Sequence, residues 1–156
     1  MGKERLAILW GELKKQHQEI DKIYLKIEHK AKGDLSVDNV LESLSYQLHN
    51  LYCAYEYLFK IIAEFFENNL EEGVGYHKEL LRRMTISIKG VRPSLISEES
   101  LMLLSELRSF RHLFRHAYSY GLDLDRVRLV LKKALKLKDT FKKDLDYFKE
   151  SFNKPS

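Results

Sequence analysis

Apolar residues recur at steps of three and four along most of the chain, which is the spacing of one face of an α-helix. This spacing predicts a first helix over about residues 4–30, which ends in lysines followed by Gly33, a typical C-terminal signal. A long second helix is predicted over about 37–68, with Ser36 as its expected N-cap. The apolar stripe of the second helix, which we expect to face the core, is Val37, Val40, Leu41, Leu44, Leu48, Leu51, Tyr55, Leu58, Ile62 and Phe66.

Three further helices are predicted after the break at residues 73–75. A short third helix covers about 76–85 and is followed by a loop at 90–93. Ser97 is expected to cap a fourth helix that runs to about residue 120, and Asp123 to cap a fifth over about 124–152. The residues expected to face inward on these last two helices are Leu107, Phe110, Leu113, Phe114, Ala117, Val127, Val130, Leu131, Leu135, Phe141, Leu145 and Phe148.

The predicted fold class is therefore all-α, a bundle of four long helices plus one short helix. The whole chain, 1–156, is expected to form a single domain, with residues 1–33 as its N-terminal helix and residues 153–156 as a frayed tail. Composition agrees with this, because 7 Gly and 2 Pro among 156 residues are too few for the many turns of an all-β fold.

A single cysteine, Cys53, excludes an internal disulfide and every Cys-rich zinc motif. Its position in the apolar stripe of the second helix predicts a buried, inert thiol. The N-terminus lacks the apolar core of a signal peptide, and no run approaches ~18 apolar residues. We therefore expect a cytoplasmic protein that does not enter a membrane.

The net charge of +4 is unevenly distributed. Residues 126–149 hold nine Lys or Arg against three Asp, a net +6 that leaves −2 for the rest of the chain. Such a segment either attracts a polyanion or is the solvated face of a helix, and the second interpretation is the more common one. Three other functions lack their sequence motifs. There is no glycine-rich loop for nucleotide phosphates, no Glu-x-x-His of a di-iron site and no Gly-x-Ser-x-Gly of a serine hydrolase.

The unusual segment is 105–120, on the fourth predicted helix. Arg108, Arg111, Arg115 and Tyr118 follow one another at steps of three and four, which places them along one face. His112 and His116 lie four apart on an adjoining face, and no acid occurs between Glu106 and Asp123. Uncompensated arginine together with histidine and tyrosine favours a site for phosphate and nucleobase.

Two other interpretations of this segment stay open. The arginines can pair with acids on neighbouring helices while the tyrosine closes the edge of the core. Alternatively, His112 and His116 can act as a metal-binding pair, although no acid lies close in sequence to complete such a site.

The pattern Arg111-x4-His116-x-Tyr118, with His112 directly after the arginine, resembles the motif of HepT-type toxins of the HEPN superfamily. The context is similar as well, and the resemblance extends over about residues 36–150. The segments that carry it are Glu-Leu-Leu-Arg-Arg-Met at 79–84, Gly-Val-Arg-Pro at 90–93 and Glu-Leu-Arg-Ser-Phe-Arg-His at 106–112.

This resemblance implies a homodimeric ribonuclease whose motif helices line a cleft between the two protomers. It implies that cleavage needs neither a metal nor another cofactor. It further implies a toxin whose partner is a minimal nucleotidyltransferase (MNT) antitoxin, which adds AMP to the motif tyrosine, here Tyr118. The remaining alternatives are a catalytically inactive HEPN module that binds RNA or the nucleotidyltransferase, and a plain helical interaction protein.

Within this hypothesis Arg111 stabilises the charge of the transition state and His116 acts as acid and base. His112 orients or assists, while Arg108 and Arg115 hold flanking phosphates. On an ideal helix Arg111 and His116 point roughly 140° apart, at ~3.6 residues per turn. The two side chains therefore cannot point in one direction on a single helix. A wide groove built from two antiparallel copies of the helix would not require this, and the position of His116 near the helix end also allows a different geometry.

Overall fold

The computed structural model describes residues 2–67, 73–116 and 121–153, and five helices account for most of them. The helices are α1 (Lys3–Ala31), α2 (Asp38–Phe66), α3 (Tyr76–Met84), α4 (Glu98–Arg115) and α5 (Leu124–Asn153). Across these described ranges the only β-type pairing is one isolated bridge between Ile88 and Arg92. The predicted all-α fold with four long helices and one short helix is therefore confirmed.

The central helix is α2, which packs against each of the other four, while α4 also packs on α5. A buried tyrosine pair connects three of these helices. The Tyr24 hydroxyl of α1 lies 2.7 Å from the Tyr55 hydroxyl of α2 and donates a hydrogen bond of 2.8 Å to the Ala134 carbonyl of α5. Both tyrosines are at most 1% exposed, so this polar contact lies inside the apolar core.

The ends of the helices agree with the sequence in most places. Ser97 is the N-cap of α4, and its Oγ accepts a hydrogen bond from the Ser100 amide at 3.2 Å. At the start of α5, Asp123 Oδ1 accepts from the Asp125 amide at 3.0 Å. The prediction for Ser36 is wrong: α2 is capped by Val37 without a side-chain bond. The Ser36 amide and hydroxyl donate instead to Asp34, within the preceding turn.

Three residues expected to face inward are exposed. Val37 is 47% exposed because it precedes the helix in an extended conformation and does not follow the stripe. Leu113 is 50% exposed because the inward position of that turn belongs to Phe114, four residues after the buried Phe110. Leu135 is 36% exposed because the neighbouring Ala134 occupies the inward position on α5.

The loop between α3 and α4 is held in place by Arg92. Its side chain is fully buried and donates to the Glu67 carboxylate from both Nε (3.0 Å) and Nη2 (2.5 Å). The same guanidinium donates to the carbonyls of Ile86, Pro93 and Arg83 at 2.9–3.1 Å. The Gly-Val-Arg-Pro segment at 90–93 therefore has a structural role in this fold.

No helix in the described part of the chain is long and apolar enough to cross a membrane. Of the predicted frayed tail, Asn153 is the last residue of α5, and residues 154–156 lie outside the described residues.

Candidate functional site

A groove of about 830 Å³ opens between the first half of α2 and the C-terminal end of α4, and Gly121 and Leu122 complete its wall. From α2 it receives carboxylates, a tyrosine and a histidine, and from the end of α4 a phenylalanine, an arginine and a histidine. These polar and aromatic lining residues are Asp38, Glu42, Tyr46, His49, Phe114, Arg115 and His116. The groove thus contains two of the residues that the sequence predicted for the site.

Helix α4 ends directly before His116, so this motif histidine is not held in helical geometry. We expected α4 to continue to about residue 120, but its last residue is Arg115, and residues 117–120 lie outside the described part. His116 is the C-cap, with φ −113° and ψ 16°, and its amide donates to the Leu113 carbonyl at 3.1 Å. Because His116 has left helical geometry, the ideal angle of roughly 140° from Arg111 does not apply to it. The His112 ring lies 4.7 Å from the His116 ring.

The three predicted arginines differ in their surroundings. Arg115 is exposed and lines the groove, whereas Arg108 and Arg111 are half-buried and are not among its described lining residues. The Nε atoms of Arg108 and Arg111 are buried and have no hydrogen-bond acceptor in the ranges that the structure describes.

Within those ranges no carboxylate lies within 4 Å of any of these three guanidinium groups. Glu106, the nearest preceding acid on α4, instead contacts Arg126 at 3.8 Å and Lys133 at 3.3 Å on α5. The buried Glu56 of α2 is hydrogen-bonded to His77 at 2.7 Å and lies 3.7 Å from Lys60. The alternative in which acids of neighbouring helices neutralise the motif arginines is therefore not seen among the described residues.

His49 on α2 is a residue of the groove that the sequence analysis missed. Its ring lies 5.3 Å from the Phe114 ring, and its Nε2 lies 3.9 Å from the Cys53 sulfur. Partial burial, and then the nearby charges of Arg111 and Arg115, lower the pKa of the imidazole below its ordinary value of 6.5. The lowered pKa favours the neutral form of His49 at neutral pH, and the neutral imidazole is the form that can accept a proton.

Tyr52, one turn beyond His49 on α2, lies in the same electrostatic environment. Burial, followed by the charge of Glu56, raises the pKa of its phenol well above the ordinary value, while Arg108 and Arg111 oppose this rise. Arg111 acts on both His49 and Tyr52, and Arg108 acts on Tyr52, so the charge of these two arginines lies between α4 and the middle of α2.

The remaining candidate groups are the His112–His116 pair, the thiol of Cys53 and the phenol of Tyr118. In the described portion of the chain no group of three or more His, Cys, Asp or Glu side chains could hold a metal ion, so His112 and His116 have no third ligand there. Cys53 is half-buried rather than buried, and its described polar neighbour is His49. Tyr118, the predicted modification site, lies outside the described residues.

The basic helix α5 is partly neutralised within the fold. Of its nine basic residues between 126 and 149, four form ion pairs with acids of α4 or α1 at 3.0–3.8 Å. These four are Arg126, Lys133, Lys136 and Lys138. The pairing favours the interpretation of α5 as a solvated face, in contrast to the unpaired arginines of α4.

The chain was compared with protein families, curated proteins and solved structures. A family model described as HepT-like protein matches residues 43–152, which include most of α2, all of α3 and α4 and nearly all of α5. No curated protein and no solved structure shows significant similarity to the chain.

Proposed function

This chain belongs to the HepT-like protein family, and we propose that it is a metal-independent endoribonuclease that acts as the toxin of a toxin–antitoxin pair. The observation that carries the proposal is the charge at the end of α4. Arg115 lines one groove together with two imidazoles, His49 and His116, and the charges of Arg111 and Arg115 act on His49. In the described structure neither these two arginines nor Arg108 has an acidic partner within 4 Å. Arginine can bind a phosphate through two parallel hydrogen bonds, and imidazole transfers protons near neutral pH.

The reaction that these groups can support is transesterification within RNA. The ribose 2′-oxygen attacks the neighbouring phosphorus, the bond from phosphorus to the 5′-oxygen breaks, and the products are a 2′,3′-cyclic phosphate and a 5′-hydroxyl. A base must remove the 2′ proton, and an acid must protonate the leaving 5′-oxygen. His116 serves as acid and base, and the neutral His49 is a second proton acceptor in the same groove.

The cations stabilise the anionic phosphorane. Arg111 neutralises the charge that develops in the transition state, and Arg108 and Arg115 hold the phosphates on either side. His112, whose ring contacts the His116 ring, orients that imidazole. Leu113 at the same end of α4 is exposed and would be available to a second protomer in the proposed homodimer, whose two α4 helices share one cleft.

The primary test is cleavage of a defined RNA in the presence of EDTA. We expect His116→Ala to lower the rate by about 10²–10⁴-fold and Arg111→Ala by about 10²–10³-fold, as for the loss of an acid–base group or of one transition-state donor. The matched controls are His29→Ala and Arg82→Ala, two exposed residues on α1 and α3, which we expect to keep full activity. A 2′-deoxy sugar at the cleaved position should abolish the reaction.

Two results would replace this proposal with the alternative of an inactive binding module. One is RNA that binds tightly and stays intact. The other is residual cleavage that the His116 and Arg111 variants leave unchanged, which would indicate a contaminating nuclease. Sedimentation at micromolar concentration tests the dimer, and a monomer there would contradict a cleft shared by two protomers.

The regulatory part of the proposal concerns Tyr118 and an MNT-type nucleotidyltransferase antitoxin. Adding AMP to the phenol, three residues after Arg115 in the sequence, would introduce a phosphodiester anion and a purine, which would compete with RNA by charge and by volume. Intact mass after incubation with the partner, ATP and Mg²⁺ tests this. Tyr118→Phe should keep nuclease activity and lose both the mass increase and the neutralisation. A Tyr118→Phe protein that is still neutralised would indicate simple sequestration.

A further inference from the structure

One wall of the groove is a stack of aromatic rings. Tyr46 is 53% exposed, and its ring is stacked on the His49 ring, with 6.5 Å between centroids and 21° between planes. Phe114 of α4 supports both, at 6.4 Å from Tyr46 and 5.3 Å from His49. Because these rings come from two packed helices, the free face of Tyr46 is a fixed platform on which a planar group can stack.

The two helices bring opposite charges to the groove. Glu42 lies one helical turn before Tyr46 on α2, is exposed, and has no hydrogen bond or ion pair with any residue the structure describes. Arg115 and His116 approach from the end of α4. Along α2 the carboxylate of Glu42 comes first, then the Tyr46 ring, and then His49, on whose imidazole the charge of Arg115 acts. A nucleotide has the complementary order, with N–H donors on its base edge and an anionic phosphate at the other end.

We propose that Tyr46 and Glu42 form a subsite for a guanine base beside the phosphate that Arg115 holds. This inference rests on the proposed ribonuclease function and names the sequence preference of that same groove. The base stacks on Tyr46, and its Watson–Crick edge is bound by the carboxylate of Glu42.

Guanine is selected by the chemistry of a carboxylate, which only accepts hydrogen bonds and can accept two in parallel. The Watson–Crick edge of guanine presents two adjacent donors, N1–H and N2–H. Adenine and cytosine each place a ring nitrogen acceptor beside their amino group, and uracil has one N–H between two carbonyl oxygens. These three bases would therefore set an acceptor against one or both oxygens of Glu42.

The experiment uses five oligoribonucleotides that differ at one position, which holds guanine, inosine, adenine, cytosine or uracil in an otherwise constant sequence. The full-length protein should cleave next to guanine at least about tenfold faster in kcat/KM than next to adenine or cytosine. Inosine, which lacks the exocyclic amino group, should be intermediate. Glu42→Gln should remove most of this preference, since an amide offers one acceptor and one donor.

Tyr46→Ala should raise KM by about 5- to 150-fold whatever the base, with little change in kcat, because stacking is lost. Tyr46→Phe should restore binding, because the ring and not the hydroxyl forms the platform. The matched controls are Tyr57→Ala and Glu64→Gln, an exposed tyrosine and an exposed glutamate on α2 that lie outside the groove. Equal cleavage of all five RNAs, or an unchanged preference in Glu42→Gln, would overturn the subsite.

Fluorescence anisotropy with 2′-O-methyl versions of the same oligonucleotides separates this inference from the proposed function, because these probes cannot undergo 2′-oxygen attack. Tighter binding of the guanine probe that depends on Glu42 and Tyr46, without cleavage of any RNA, would support the subsite and refute the ribonuclease. Cleavage without base preference would support the ribonuclease and refute the subsite. A protein that neither cuts nor binds any probe would refute both.

Discussion

Replacement of Arg92 by alanine is expected to be among the most destabilising single changes in this protein. The change removes a fully buried guanidinium that donates twice to the Glu67 carboxylate and once to each of three backbone carbonyls. The Glu67 side chain is itself 8% exposed, and among the described residues its remaining cationic neighbour is Arg83 at 3.8 Å. The variant thus leaves a buried carboxylate without its closest counter-charge.

Removing one partner of a buried ion pair costs about 3–5 kcal/mol. For a chain of this length a loss of 1 kcal/mol lowers the midpoint of thermal unfolding by about 2–4 °C, so we expect a decrease of about 6–20 °C. Urea unfolding followed by circular dichroism measures the free energy directly, and an unchanged m-value shows that the unfolded state is the same.

The control for this experiment is Arg82→Ala, which removes another arginine of the same region, on α3. Arg82 pairs with Glu79 at 2.7 Å on the exposed face of α3, and an exposed pair of this kind contributes little. We expect no measurable change in this variant. A loss below about 1 kcal/mol in Arg92→Ala, or equal losses in the two variants, would refute the reasoning that burial makes the difference.

Three further changes have defined outcomes. Tyr24→Phe should lower the free energy of unfolding by about 1–3 kcal/mol in urea titration, because the Ala134 carbonyl and the Tyr55 hydroxyl lose their buried partner; Tyr147→Phe, on the surface, should not. Ser97→Ala should cost about 1 kcal/mol through loss of the N-cap of α4, and an unchanged stability would refute that role. The pKa of His49 is lower in the folded protein than in the unfolded chain. As the pH falls below about 6.5 the unfolded chain therefore binds more protons than the folded protein, and the free energy of unfolding decreases. His49→Gln should lose less stability than the native protein between pH 7.5 and 5, and parallel pH profiles would contradict this.

The sequence by itself determined the helices and the fold class. Helix formation depends on residues three and four apart, so the apolar period of each segment is visible in the chain, and all five predicted helices are present. The cap at Ser97 is equally local, because its partner is the Ser100 amide. The motif arginines and histidines were also apparent, since their excess over acids is a property of one short segment.

The tertiary structure decided which of these side chains meet. His49 and Tyr46 entered the site only because α2 packs against the end of α4, some sixty residues later in the chain. Nothing in their local sequence distinguishes them from other residues of a long amphipathic helix. The same is true of Arg92. Its sequence context indicates only a basic residue in a loop, whereas in the fold its side chain is buried and paired with Glu67. Contacts between distant segments depend on how helices pack, and a pattern of period 3.6 specifies which face of a helix is buried but not which helix covers it.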